Sequence, residues 1–338
     1  MFRKAHARRS LPQFAAVPAE VTRLEDRALL MGNVTVGIDG SGNVTLTGDS
    51  SANVVRISVV NNAIVVKGVL TKVNGGTTAV SLPMAPSTTD TLAGSLTIDM
   101  KDGLDLVDIK GIKISGNVTV NGSNGADVTV LRKSTVTGDL VTGVGGDAGK
   151  DSLALIDSTI TGNVNANLGA DLDIVIGAKL NVGGSVNLLL GDGNDVATLE
   201  AANVTGAINV DAGAGNDLMI GGFQSGGFNI QMGDGNDLVV LVPTKTTGGT
   251  ASISLGTGND GGGIGGGPIA STLTVDGGEG TDRFFVGPQV VTGGNTLTSI
   301  ESDLSFSLSL ARSNPIFKQF SGGFLKLGIL KALLGGLP

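Results

Sequence analysis

The sequence predicts an all-β fold, a right-handed parallel β-helix (β-solenoid) of about nine coils with about 22 residues each. Gly-x-Asp tripeptides recur at that period, and short apolar segments flank each copy. The chain also has 56 glycines but only 3% aromatic residues, as expected where stacked coils replace a bulky core. Right-handedness follows from the chirality of parallel crossover connections.

Each period contains the parts of one coil. "NVTV" from Asn117 precedes a Gly-x-Asp tripeptide, "VTVL" from Val128 follows it, and "STVTG" from Ser134 closes the unit. Three strands and three turns therefore fill each period, which places the aspartates along one edge of the solenoid. The tripeptides of the repeat end at Asp105, Asp127, Asp151, Asp171, Asp195, Asp217, Asp237, Asp260 and Asp282.

The strands after the aspartates predict a narrow aliphatic core. Alternate side chains of a strand point inward, where they stack on their equivalents in the next coil about 4.8 Å away. We expect these inward positions to include Val130, Leu155, Val175, Ile220 and Val240.

The N-terminal part differs from the repeats. Residues 1–30 carry six basic and three acidic residues and are predicted to be a disordered export or targeting arm. Residues 31–94 are predicted to form a β cap and a loop, with hairpin turns at Asp39-Gly40 and Asn61-Asn62.

The repeats are predicted to span residues 95–290 and the C-terminal cap residues 291–338. In this cap "DLSFSLSL", Asp303 to Leu310, alternates as a half-buried strand. The final "FLKLGILKALLGGLP" is expected to pack over the last coil as a short helix. Such closure is needed because an open terminal coil leaves an exposed sheet edge.

Composition disfavours several function classes. The chain has no Cys, Trp or Tyr, and its single histidine is His6, so the repeats lack thiolate and imidazole chemistry. The net charge of −8 repels nucleic acid and favours metal cations. No apolar window long enough for a transmembrane helix is present.

Two motifs carry family resemblances. "RLEDRALL", Arg23 to Leu30, resembles the LEPR-XLL segment of large secreted planctomycete proteins, with Asp26 in place of the proline. That resemblance implies export to a bacterial extracellular or surface setting. Residues Gly277 to Phe285 match the calcium-binding RTX nonapeptide Gly-Gly-x-Gly-x-Asp-x-U-x, whereas "LGDGNDVAT", from Leu190, matches it in part.

Calcium is the expected cofactor. Ca²⁺ takes six to eight oxygen ligands, which stacked Gly-x-Gly-Asn-Asp loops could supply jointly. The alternative is that these acids and Asn194, Asn216, Asn236 and Asn259 only form solvated corners. The predicted metal ligands are Asp192, Asp195, Asp217, Asp234, Asp237, Asp260 and Asp282.

These features favour a non-catalytic extracellular or cell-surface solenoid with a structural or adhesion role. Its expected partners are extracellular matrix or surface components. One alternative is a carbohydrate-active β-helix resembling polysaccharide lyases, which would need an acid/base cluster and aromatic sugar platforms. Another is an ice-binding solenoid, for which "TLT" from Thr45 is a solitary Thr-x-Thr motif among irregular Val-Thr pairs.

Overall fold

A computed structural model describes residues 32–86, 88–143, 149–287 and 293–301. The predicted basic arm, the predicted strand Asp303–Leu310 and the predicted C-terminal helix lie outside these residues. Every regular element of the described chain is a β-strand. None of the described residues belongs to a helix of the length and apolar character that a membrane span requires.

One sheet of thirteen strands, here called face A, contains the strand that precedes each Gly-x-Asp turn. Its strands are Asn33–Ile38, Val44–Thr47, Lys72–Val73, Leu96–Asp99, Val118–Asn121, Leu140–Gly143, Val164–Asn167, Val186–Asp192, Ala207–Ala214, Gly227–Gln231, Ala251–Ser254, Leu273–Asp276 and Asn295–Thr298.

A second sheet, of eighteen strands, forms the other two faces. Face B contains the strand after each turn: Val54–Val60, Leu106–Lys110, Val128–Arg132, Ser152–Ile156, Ile174–Ala178, Val196–Val204, Leu218–Ser225, Leu238–Leu241, Gly261–Ile264 and Arg283–Val286. Face C contains the short strands Thr91–Leu92, Lys113–Ile114, Thr135–Val136, Thr159–Ile160, Asn181–Val182 and Lys245–Thr246. The other strands of this sheet are Ala63–Gly68 and Val80–Ser81, and a separate pair is Thr257–Gly258 with Glu279–Gly280.

Equivalent strands of successive coils pair in parallel. Val118 lies opposite Leu140, for example, and Val128 lies opposite Ser152. The predicted solenoid of about nine turns with a spacing of about 22 residues is therefore confirmed.

Parallel pairing already begins before residue 95. Val44–Thr47 pairs with Leu96–Asp99, and Val54–Val60 pairs with Leu106–Lys110. The hairpin predicted around Asp39-Gly40 is present as an antiparallel pair that ends in Val44–Thr47. The hairpin at Asn61-Asn62 is also present, since Val54–Val60 pairs antiparallel with the strand that follows it.

The aliphatic core runs between the three faces. The predicted core positions were correct for Leu155 and Val175 and were wrong in register for Val130, Ile220 and Val240. Leu155 and Val175 belong to the main core, whereas Ile220 and Val240 belong to a second buried cluster and Val130 is only half-buried. On face B the inward positions are the second and fourth residues after the aspartate. Ile220, Val240 and Val130 stand at the third, and a shift of one residue moves a side chain to the opposite face of a sheet.

Adjacent residues of one strand test this register. Leu155 is 2% exposed and Ile156 is 38% exposed. We predict that Leu155→Ala lowers the free energy of unfolding by about 2–5 kcal/mol because it leaves a cavity in the core. Ile156→Ala should lower it by less than about 1 kcal/mol. Urea midpoints of the two variants measure the difference, and equal losses would contradict the face assignment.

Candidate functional site

A column of buried aspartates runs along the corner between face A and face B. Each coil contributes one carboxyl group, and none of these residues is more than 7% exposed. The predicted alignment along one edge is thus confirmed for eight of the nine predicted aspartates. The members of this aspartate column are Asp105, Asp127, Asp151, Asp173, Asp195, Asp217, Asp237, Asp260 and Asp282.

Each carboxylate of the column accepts a hydrogen bond from the backbone of the preceding coil. The backbone N–H of Asp195 donates to Oδ1 of Asp217 at 2.7 Å, and the N–H of Asp217 donates to Oδ1 of Asp237 at 2.8 Å. The same bond recurs at every step of the column. At its two ends the N–H of Asn53 donates to Asp105, and the N–H of Asp282 donates to the carboxylate of Glu301.

The glycine of the motif allows neighbouring turns to stack closely. Gly215 has a φ of +143°, and a Cβ there would lie 1.3 Å from the carbonyl oxygen of Gly193 in the preceding coil. A side chain at this position would separate the coils and break the aspartate bonds. Glycine and aspartate therefore recur together because one permits the stacking and the other bonds across it.

The residue between them forms a second ladder on the outside. The backbone N–H of Asn216 donates to Oδ1 of Asn194 at 2.8 Å, and its side-chain amide donates to the same oxygen at 2.9 Å. Asn236 and Asn259 repeat the contact in the next two coils. These asparagines, three exposed and Asn216 half-buried, bond successive coils to each other at the corner, so a corner role is observed for them.

The prediction that Asp171 lies in the row of aspartates along this edge was wrong. Asp171 is exposed with a φ of +77°, whereas Asp173 occupies the column and accepts the N–H of Asp151 at 2.7 Å. The steps from Asp151 to Asp173 and from Asp173 to Asp195 are then both 22 residues. The more even spacing was the signal that could have identified Asp173.

The predicted metal ligands divide into two groups. Asp195, Asp217, Asp237, Asp260 and Asp282 are buried in the column. Asp192 and Asp234 are exposed. Burial is the main cause of the raised pKa of Asp195 and Asp237, and the nearby charges of Asp192 and Asp234, respectively, add to it. Within the described part of the chain, no three acidic or histidine side chains are grouped as a metal site.

The second carboxylate oxygen is the unusual feature of the column. Oδ2 of Asp195, Asp217 and Asp237 is buried and has no hydrogen-bond partner among the described residues, and the same holds for Asp260 and Asp282. A lone ionised oxygen in a dry environment is costly. The site can therefore take up positive charge, either as protons or as a cation.

Burial raises the pKa values of these carboxyl groups. The pKa is about 7 for Asp217 and about 8 for Asp237, because desolvation and neighbouring carboxylates outweigh the backbone N–H bond that opposes them. Burial likewise raises the pKa of Asp195 and of Asp260 to about 6. At neutral pH part of the column is therefore protonated and uncharged.

Comparison of the chain with protein-family models, with curated proteins and with solved structures finds no match. The chemistry of the aspartate column therefore follows from its own geometry. In most of its coils Oδ1 accepts a hydrogen bond, whereas Oδ2 has no hydrogen-bond partner among the described residues. This arrangement favours proton or cation binding within the protein over reaction with a substrate, since the oxygens are sealed from solvent.

The raised pKa values predict a pH dependence of stability. These groups ionise near pH 4 in the unfolded chain but at about pH 6 to 8 in the folded protein, so the folded state binds more protons between these values. The stabilisation is complete at low pH and is lost as the pH rises through the folded pKa values. We expect the urea midpoint to fall between about pH 5 and about pH 8.

An amide substitution isolates this effect. Asn retains the Oδ1 acceptor but has no proton to lose, so Asp217→Asn with Asp237→Asn should flatten the pH profile and raise the midpoint at about pH 8. The exposed Asp211, on a face A strand outside the column, serves as a control, because Asp211→Asn should leave the profile unchanged. Identical profiles for the double variant and the parent would contradict the protonated column.

Proposed function

We propose that this protein is a non-catalytic β-solenoid with a structural or adhesive role at a bacterial cell surface or in the surrounding matrix. The observation that supports it is the aspartate column. The carboxyl groups with raised pKa values, which are the usual candidates for acid/base catalysis, lie inside the solenoid and bond to its backbone. Their position suits stacking and not contact with a substrate.

The extracellular setting is supported by the sequence of the N-terminal arm. Its "RLEDRALL" segment resembles the LEPR-XLL segment of exported proteins, and the acidic repeats suit a surface that does not bind nucleic acid. The expected partners are extracellular matrix or surface components.

Labelling of intact cells tests the location. An antibody against the repeats should bind intact cells of the source bacterium or detect the protein in the culture medium. A cytoplasmic protein labelled in parallel controls for lysis. Recovery of the chain only from the cytoplasmic fraction would contradict the proposal.

We further propose that calcium neutralises part of the aspartate column after export. The proposal is supported by the buried Oδ2 atoms of Asp195, Asp217 and Asp237 and by the proximity of Asp192 and Asp234. Carboxylate oxygens are the ligands that Ca²⁺ prefers. A cation bound only by the folded chain would add its binding free energy to stability.

Thermal unfolding with calcium and with chelator tests this second proposal. Calcium and protons compete for the same oxygens, so the calcium-induced rise in Tm should be larger at about pH 8 than at about pH 5. Asp192→Asn combined with Asp234→Asn should reduce the rise, whereas Asp211→Asn, an exposed residue on a face A strand, should not. An equal Tm with calcium and with chelator at both pH values would contradict calcium binding. Protonation alone would then neutralise the column.

A further inference from the structure

A shallow groove of about 300 Å³ lies on the outer surface of face A and crosses five consecutive strands, from Leu140–Gly143 to Gly227–Gln231. Its two sides are ranks of outward-pointing side chains, and its floor is the backbone between them. The groove therefore runs parallel to the solenoid axis, across the strands.

One side of the face A groove is a rank of amides. Asn165, Asn187, Asn209 and Asn229 stand at the same position in four successive coils, about 4.8 Å apart. The side-chain amide of Asn187 donates to Oδ1 of Asn165 at 2.7 Å, and that of Asn209 donates to Oδ1 of Asn187 at 2.7 Å. These bonds orient the amides without using all of their capacity.

The amides keep both donor and acceptor capacity for a ligand. An Asn side chain has two N–H donors and two acceptor lone pairs, and the ladder uses one of each at Asn187. The opposite side of the groove presents Asn167, Leu189, Asp211 and Gln231, of which Leu189 is 42% exposed. The groove thus combines amide groups with carbon surface.

The charge of the groove restricts its occupant. Among the described residues that line it, Asp211 is the one charged side chain, so there is no cation to hold a carboxylate, sulfate or phosphate. The net charge of the chain also repels polyanions. A ligand that matches this surface is uncharged, extended and rich in groups that both donate and accept hydrogen bonds.

We infer that the face A groove binds a neutral polysaccharide chain laid along the solenoid axis. Each hydroxyl group of such a polymer can donate and accept hydrogen bonds. It can therefore pair with the amide N–H groups and oxygens that the ladder leaves available. The carbon faces of its rings match the side-chain carbon of Leu189 and Val141. This inference goes beyond the proposed function, since it concerns the isolated protein in solution and does not depend on its location or on calcium.

Affinity electrophoresis of the full chain tests the inference. Native gels contain a neutral polymer (β-glucan, xylan or galactomannan) or a polyanion (alginate or dextran sulfate). We expect at least one neutral polymer to retard the protein and the polyanions to leave its mobility unchanged. Retardation by no neutral polymer, or equal retardation by a polyanion, would overturn the inference.

Two substitutions locate the binding site. Leu189→Arg places a long side chain in the groove without touching the amide ladder and should reduce the association constant at least about tenfold. Ser254→Arg is the matched control. Ser254 lies next to Gln231 in the row of side chains that contains Leu189, but it lies outside the groove. Equal binding by the two variants would contradict a site in the groove.

A third variant tests the amides themselves. Asn187→Ala with Asn209→Ala should weaken binding by about tenfold or more, with circular dichroism and Tm recorded to show that the solenoid is intact. If this pair unfolds the protein, the Leu189→Arg and Ser254→Arg pair still decides the question. A dimer in solution that Leu189→Arg dissociates would identify a second copy as the occupant and overturn the inference.

Discussion

The bond between a backbone N–H at one corner and the carboxylate of the next coil is the interaction on which the solenoid depends. A corner of this kind buries an amide that no strand partner can satisfy, and a buried unsatisfied amide is costly. Asp217 relieves that cost for Asp195, and Asp237 relieves it for Asp217. The corner N–H of each coil thus finds its acceptor in the coil that follows. The stacking of two coils therefore depends on the position of a single side chain.

The other corners use the same kind of bond, mostly with uncharged acceptors; Asp139, which accepts the N–H of Asn163, is an acid at one of them. Between face C and face A the N–H of Ser185 donates to Oδ1 of Asn163 at 2.9 Å, and the N–H of Ala207 donates to Oγ of Ser185 at 3.2 Å. Between face B and face C the N–H of Ser134 donates to Oγ of Ser158 at 3.3 Å. Within the described part of the chain, the corner of the aspartate column is the one that uses an acid in every coil, so a column of buried charge must be neutralised there.

The period of the sequence predicted the parallel stacking because each coil repeats its own turn chemistry. The inward register was harder to predict, since strands such as "LVVL" are apolar at both faces and show no alternation. Asp171 was chosen over Asp173 because both follow Gly169 within a few residues and the motif alone does not show which side chain turns inward. The face A groove was missed because Asn165, Asn187 and Asn209 become neighbours only when the coils are stacked.

The ends of the column show that its bonds have a direction. Each member donates its N–H toward the next coil and accepts from the preceding one, so among residues 32–301 the first coil needs no acceptor and the last needs a substitute. Asn53 stands at the first position, where its side-chain amide donates to the carbonyls of Asp49 and Ser51. Glu301 stands in the last position and accepts the N–H of Asp282 with a side chain one carbon longer than aspartate. The chain changes residue type where the bonding requirement changes, so the requirement for an acceptor explains why a side chain with an acceptor oxygen recurs in every coil. The raised pKa values of the buried acids are the electrostatic consequence of burying a carboxyl group there.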